Sequence, residues 1–284
     1  MKSLIDRYGR WLGPYAALWI TLIFGGLLVI TLALLGAEVY QSVVAKDGVA
    51  GLDRPVLELA KQYRNPGLDT AVTAFTYIGG GVGMPILASI LVAWLIYVSR
   101  SWRPLILVGG AAAVSITATT VSKTLLGRVR PDHIDAVPPF EFSPSFPSGH
   151  TLNTTVVIGA VVYLICLQAD KTWVRVSVIT AGALFIICMG LSRVFLGHHW
   201  MTDVIAAWLL GLAWLGMVIL AHRLFHVIRR REQAGPAPTF EHPAELTAKE
   251  PNERAQEQGA DTAREEAPGA GGSHGGRRGD AASG

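Results

Sequence analysis

Long uncharged apolar stretches, each closed by a short polar cluster, set the rhythm of this chain. Tyr15 to Ala37 carries no charge over 23 residues, and at about 1.5 Å per residue it is long enough to cross a hydrocarbon core of roughly 30 Å. It is longer than the apolar core of a cleaved signal peptide, so an uncleaved first helix is expected, ending at Glu38. A second run, Ala71 to Val98, is interrupted by Gly79-Gly80-Gly81 and Pro85. Glycine and proline inside a span must be rescued by neighbouring groups, so this helix is expected to kink or split, with close packing preferred over a gating hinge as the reason. Leu105 to Val121, Thr151 to Leu167, Trp173 to Leu191 and Val204 to Ala221 complete a set of six spans. The expected fold is all-α: a polytopic membrane protein with six transmembrane helices.

The polar segments between the runs differ in kind. Met1 to Pro14 mixes Lys2, Arg7 and Arg10 with Leu4, Ile5, Trp11 and Leu12, a basic interfacial leader. From Leu52 to Tyr63, Leu52, Val56, Leu59, Ala60 and Tyr63 fall on one helical face, away from Asp53, Arg54, Glu58, Lys61 and Gln62. That pattern predicts an interfacial helix lying on the membrane between spans 1 and 2. Lys123 through Phe146 is the longest internal polar connection. Its Asp132-His133, Pro138-Pro139 and Pro144 predict an ordered loop.

Composition agrees with a membrane protein, at 51% hydrophobic and 16% charged residues. The net charge of +3 hides a split. Residues 1–231 hold 19 Lys/Arg against 11 Asp/Glu, whereas 232–284 hold 5 against 10. The basic residues sit in short loops and form no continuous stripe, which argues against nucleic acid. Residues 232–284 have few large apolar side chains and are expected to be a disordered cytoplasmic tail behind a membrane domain at 1–231. Cys166 and Cys188 lie inside apolar runs and read as small hydrophobes, silent about redox compartment.

Candidate chemistry is confined to the edges of the runs. Lys123, Arg130 and Arg193 are three fixed cations that together can neutralise a multiply charged oxyanion, and guanidinium forks match phosphate oxygens in pairs. Ser148-Gly149 precedes an apolar helical run, so its backbone N–H groups are expected at a helix N-terminus where an anion is favourably held. Gly149 lets the backbone come close. His199 and Asp203 are four residues apart, which on a helix puts the carboxylate one turn beyond the imidazole on the same face. Asp203 then holds one ring N–H, leaving the other nitrogen of His199 as a nucleophile toward phosphorus and His150 to carry protons. His198 and Arg128 read as structural or rim residues, Ser192 and Pro131 as positioning their neighbouring arginines. A metal on His199 and Asp203 is disfavoured by the three nearby cations.

The pattern Lys-x6-Arg-Pro, Pro-Ser-Gly-His and Ser-Arg-x5-His-x3-Asp is filled by Lys123, Arg130-Pro131, Pro147 to His150, Ser192-Arg193, His199 and Asp203 without departure. It resembles the type 2 phosphatidic acid phosphatase family over roughly Ala71 to Arg223. The resemblance implies hydrolysis of a phosphate ester or anhydride through a phosphohistidine, with no metal or other cofactor. The motifs alone do not fix the substrate, but a site at the membrane edge, reached sideways between apolar helices, suits a lipid whose tail stays in the bilayer. Within the membrane branch the arrangement is similar to undecaprenyl-diphosphate phosphatases, with phosphatidic acid and phosphatidylglycerol phosphate as the next substrates. A lipid phosphoryl transferase and a non-catalytic carrier of anionic lipids share the need for cations. The family's soluble vanadium haloperoxidases are disfavoured by the spans.

Six spans put both termini on one side. That side carries eleven Lys/Arg and the other eight, or five once Lys123, Arg130 and Arg193 are set aside as ligands. The positive-inside rule then predicts cytoplasmic termini in the plasma (inner) membrane and catalytic loops facing periplasm or exterior.

Overall fold

The computed structural model describes the backbone of residues 13–234 and the side chains of residues 18–229. Of the leader expected at Met1 to Pro14, residues 1–12 lie outside the described residues, and so does the tail expected at 232–284 except for 232–234, which continue the last helix instead of starting the tail. Helices, turns and irregular segments make up what is described, with no strand among them.

Helix α1, Gly13–Ala45, runs straight through Glu38, where the sequence alone placed its end. Glutamate is a good helix former, and here its side chain is exposed. One turn of 3-10 helix, Gly48–Leu52, leads into α2, Asp53–Gln62. This is the expected interfacial helix, with Leu52, Leu59 and Tyr63 left exposed. Its other side is less simply polar than expected, because Leu57 and Asp53 are buried. Lys61 and Arg54 pair with Asp135 at 2.5 and 3.3 Å. Arg64, just beyond α2, donates to the carbonyls of Asp135 and Phe195 at 2.6 and 2.7 Å. These contacts fasten the helix to the long polar loop and to the end of a later span.

The interrupted run is two helices, α3 (Pro66–Ile78) and α4 (Gly83–Ser99), bent by 54°. Asn65 caps α3 by accepting from the Leu68 N–H at 2.9 Å, with Pro66 in the first turn where its missing N–H does no harm. Close packing accounts for Gly79 and Gly83 at the break, whereas Gly81 has open space around it. A Cβ on Gly79 would stand 2.4 Å from Met189 Sδ, and one on Gly83 2.1 Å from the Tyr77 carbonyl. Five helices are individually long and apolar enough to cross a membrane, or six if α3 and α4 are one span.

The remaining spans are α5 (Arg103–Leu126), α6 (Gly149–Gln168), α7 (Thr172–Phe195) and α8 (Met201–Ala234). Their ends extend past the apolar runs. Lys123 therefore lies in the last turn of α5, which closes at Gly127 in a left-handed conformation, φ +56°. Ser192 and Arg193 likewise sit inside α7. Over half of the apolar window of α6 is buried, the largest share of any span. Val157, Ala160 and Val161 on α6 pack against Leu95 of α4, Val108 of α5 and Leu215 of α8. In a bilayer such packing replaces lipid contact with denser protein contact, and small residues make it possible. Gly190 lies under Trp208, where a Cβ would come within 2.5 Å of the ring.

The result is one end of the bundle where the C-termini of α5 and α7 meet the N-termini of α6 and α8. The loop 127–148, irregular but for the short turn His133–Asp135, is folded over them. All three sequence clusters are brought to this end.

Candidate active site

His199 does not lie on a helix. After α7 the chain turns through Gly197, φ +71°, and α8 begins only at Met201. The His199–Asp203 pair expected from helical spacing nevertheless forms, Nδ1 to Oδ2 at 3.3 Å, because Asp203 folds back over the start of α8. The same carboxylate oxygen accepts the Trp200 N–H at 2.9 Å, one of the donors a helix N-terminus leaves without an internal partner.

Asp203 is fully buried and has further donors. Ser145 Oγ hydrogen-bonds its Oδ2 and also lies 3.4 Å from His199 Nδ1. Arg128 binds its Oδ1 and reaches Asp53 Oδ2 at 2.6 Å. Asp53 in turn accepts the Thr202 N–H at 2.8 Å. Arg128, which the sequence left outside the site, is thus the bridge between two buried carboxylates on α2 and α8.

The other ring nitrogen of His199, Nε2, faces Arg130 at 3.1 Å. Arg130 also donates to the carbonyl of His198 and, through Nε, to that of Ser143 at 2.6 Å. Its far nitrogen is 2.9 Å from Glu141 Oε2. Arg193 takes the other oxygen of Glu141 and donates to Thr76 Oγ1 at 3.1 Å. Its Nε is buried with no hydrogen-bond partner among the described residues. Lys123 Nζ holds Ser143 Oγ at 2.9 Å and lines the same cavity as Glu141, Gly149 and His150. Lys123, Arg130 and Arg193 therefore converge around one carboxylate.

Electrostatics follow from this crowding. Burial, then Arg130 and Arg193, hold the His199 imidazole well below its ordinary pKa, so it is neutral at pH 7. Burial and Arg193 likewise bring His198 down to about 4. Burial opposes the charge on Glu141, but Arg193 and Arg130 outweigh it and hold the carboxyl at about 2. His198 Nε2 meets the Val137 carbonyl at 2.8 Å, which makes it part of the loop's anchorage.

At the start of α6, Ser148 departs from expectation. Its N–H is committed to the Asp203 carbonyl at 3.3 Å, and its hydroxyl, fully buried, accepts from Thr151 Oγ1 at 3.0 Å. Gly149 and His150, in the first turn of α6, line the cavity. A side chain at Gly149 would crowd Thr119, its Cβ standing 3.2 Å from a methyl. His150 stands at the cavity wall within electrostatic reach of Arg193, Glu141 and Lys123, and beside Gly80 of the α3–α4 break.

Sequence reasoning missed Glu141, Ser143 and Ser145. They alternate along an extended stretch just before Pro147-Ser148-Gly149-His150, and a period of two puts alternate side chains on one side. Polar residues at every second position were the available signal.

The cavity, about 800 Å³, runs from this polar head along α4 and α5, past Ile116, Ala112 and Val108, to Leu105 and Ile96. A polar head thus opens onto an apolar groove.

Comparison with known proteins gives the same family from several directions. A family described as the PAP2 superfamily matches residues 103–226. Phosphatidylglycerophosphatase B of Bacillus subtilis (strain 168) is 30% identical over 178 residues, 61% of this chain and 85% of that protein. Undecaprenyl-diphosphatase of Sulfolobus acidocaldarius is 31% identical over 125 residues, 42% of this chain and 55% of that protein. Among solved structures, a transmembrane PAP2-type phosphatidylglycerolphosphate phosphatase from Bacillus subtilis matches with a TM-score of 0.61 at 26% identity, covering 70% of this chain and 96% of that one.

Proposed function

The chain belongs to the PAP2 superfamily, and from that premise we propose that it is a multi-pass membrane lipid phosphatase whose nucleophile is His199. The observation that carries this reading is the double clasp of Glu141 by Arg130 and Arg193, directly beside His199 Nε2 and at the head of an apolar groove. A phosphate entering along the groove takes the place of that carboxylate. It also offers a second oxygen to Arg193 Nε, completing a fork that Glu141 fills only in part.

The cycle then needs few parts. Lys123, Arg130, Arg193 and the N–H groups of Gly149 and His150 hold the phosphate and neutralise its equatorial oxygens. His199 Nε2, freed of Arg130, attacks phosphorus, and the bond to the leaving oxygen breaks as His150 gives that oxygen a proton. Asp203 and Ser145 hold Nδ1 and steady the positive charge the ring acquires. Water, surrendering a proton to His150, attacks the phosphohistidine and releases inorganic phosphate. Ser148 serves this site by tying the start of α6 to Asp203.

The groove bears on the substrate. From Lys123 to Leu105 it follows 18 residues of α5, about 27 Å of helix, close to a full hydrocarbon core of roughly 30 Å. An acyl chain of one leaflet fills about half of that, so a long single chain, as in a polyprenyl diphosphate, suits it better than phosphatidylglycerol phosphate or phosphatidic acid. Residues 1–231 hold the catalytic membrane domain. Both termini face the cytoplasm and the site faces outward, as the count of basic residues argues.

The test is phosphate release by the purified protein in EDTA, across polyprenyl diphosphate, phosphatidylglycerol phosphate and phosphatidic acid. Release without an added acceptor, fastest on the polyprenyl substrate, is expected. Release only with an acceptor would make the chain a transferase, and none from any lipid would overturn the reading.

A further inference from the structure

A second cavity, about 700 Å³, lies between α5 and α8. It begins at Arg103, at the opposite end of α5 from Lys123. Twenty residues, about 30 Å of helix, separate the two cations, so the polar ends of the two cavities lie on opposite sides of the bilayer. The second cavity has a built chemical polarity. Arg103, Arg229, His222 and His226 stand at one end of its lining, and the other end, at Val114 and Trp214, is apolar. The two imidazoles are held in place, His222 Nδ1 by the Tyr163 hydroxyl at 2.9 Å and the two Nε2 atoms 3.1 Å apart. Neither Arg103 nor Arg229 has a carboxylate partner among the described residues.

We propose that this cavity is a binding site for one anionic diacyl phospholipid of the leaflet facing away from the catalytic pocket. Three observations select that occupant. From Arg103 to Val114 the cavity follows eleven residues of α5, about 16 Å, the depth of one leaflet's hydrocarbon. Its rim residues Ile106, Met217 and Phe225 are exposed on the lipid-facing surface, so it opens sideways into the bilayer. Two guanidinium groups at headgroup level, neither with a carboxylate partner among the described residues, attract a phosphodiester and discriminate against a zwitterionic lipid. The site is independent of turnover, since none of its residues touches the catalytic cluster.

Trp214 reports on it from within. The full chain, in vesicles of zwitterionic phosphatidylcholine, is titrated with phosphatidylglycerol carrying brominated acyl chains. The quenching due to Trp214 is taken as the difference from a Trp214→Phe variant. The expected result is saturable quenching at a few mole per cent, with a midpoint raised at least roughly fivefold by Arg103→Gln with Arg229→Gln. Hydrolysis of a lipid phosphate by that double variant should equal the parent's and certifies its fold. Equal quenching by brominated phosphatidylcholine, an unmoved midpoint, or no quenching because a second copy covers the cavity would each overturn the proposal.

Discussion

The two halves of the catalytic end are built on opposite charge balances. Around Asp203, one arginine, Arg128, serves two carboxylates, and Ser145 and two backbone N–H groups complete the set. Around Glu141, two arginines share one carboxylate, Lys123 lines the same cavity on Ser143, and a guanidinium N–H of Arg193 has no partner among the described residues. The first half is complete as it stands and only has to keep a ring oriented. The second carries formal positive charge in excess, held in a cavity, and becomes complete only when it takes on more negative charge. Buried groups of one sign without enough partners are costly, so the surplus supports the proposed phosphate site, and the fully partnered network around Asp203 supports a positioning role.

The sharpest way to break this division is at the atom where the halves meet. His199→Ala should lower phosphate release by roughly 10^4-fold or more, to background, since no other group supplies the nitrogen that attacks phosphorus. Asp203→Asn should lower kcat by roughly 10^2- to 10^4-fold with KM little changed, because it alters the held proton on Nδ1 and not the phosphate cradle. Parental turnover in membranes carrying either variant would remove His199 from the mechanism.

Arg128 tests the positioning half from outside the reacting atoms. Arg128→Gln leaves Asp53 and Asp203 buried without their shared cation, a loss on the order of 3 kcal/mol in stability. Turnover should fall roughly 10- to 100-fold through kcat, and Arg128→Lys should restore part of it. A purely structural role would show as a lower Tm with kcat per folded molecule unchanged.

Acid should weaken the fold through the buried imidazoles. His198, held at about 4, binds no proton in the folded chain where the unfolded chain does. The unfolded state therefore carries more protons between about pH 4 and 6.5, and stability rises with pH across that window. Going down from pH 6.5 to 4, this one group gives up stability on the order of 3 kcal/mol. Tm measured at pH 7 and 5 should fall more for the parent than for His198→Gln, and equal falls would show the shift to be absent.

Much of this arrangement was legible in the residue order. The spans, the break at Gly79-Gly80-Gly81 and the gathering of Lys123, Arg130, Arg193, His150 and His199 follow from hydropathy and from counting crossings. Helix ends were not legible, because Glu38, Lys123 and Arg193 are tolerated in helical turns beyond the apolar runs once their charged ends reach polar surroundings. Ser148 was misjudged because its N–H goes to the carbonyl of Asp203, a tertiary contact that no local pattern encodes. Asp53 was read as surface for the same reason: only folding brings Arg128 to it. Glu141 was overlooked because its alternation with Ser143 and Ser145 lies in a loop of turn formers, where a period of two is not read as a strand.

That carboxylate gives the smallest effect and the only gain. If Glu141 sits where the substrate's phosphate must go, the two compete for Arg130 and Arg193, and substrate binding includes the work of displacing it. Glu141→Gln keeps the shape and removes the charge. Lipid phosphate should then bind more tightly, with KM lowered several-fold, on the order of 1 kcal/mol. Inorganic phosphate should become a stronger inhibitor by a similar factor, since it draws on the same clasp. Because kcat depends on His199 and Asp203, it should change less than KM does. A raised KM in Glu141→Gln, with Tm unchanged, would mean that Glu141 holds the arginines in place for the substrate instead of standing in its way, and the two halves of the site would then differ less than their charges imply.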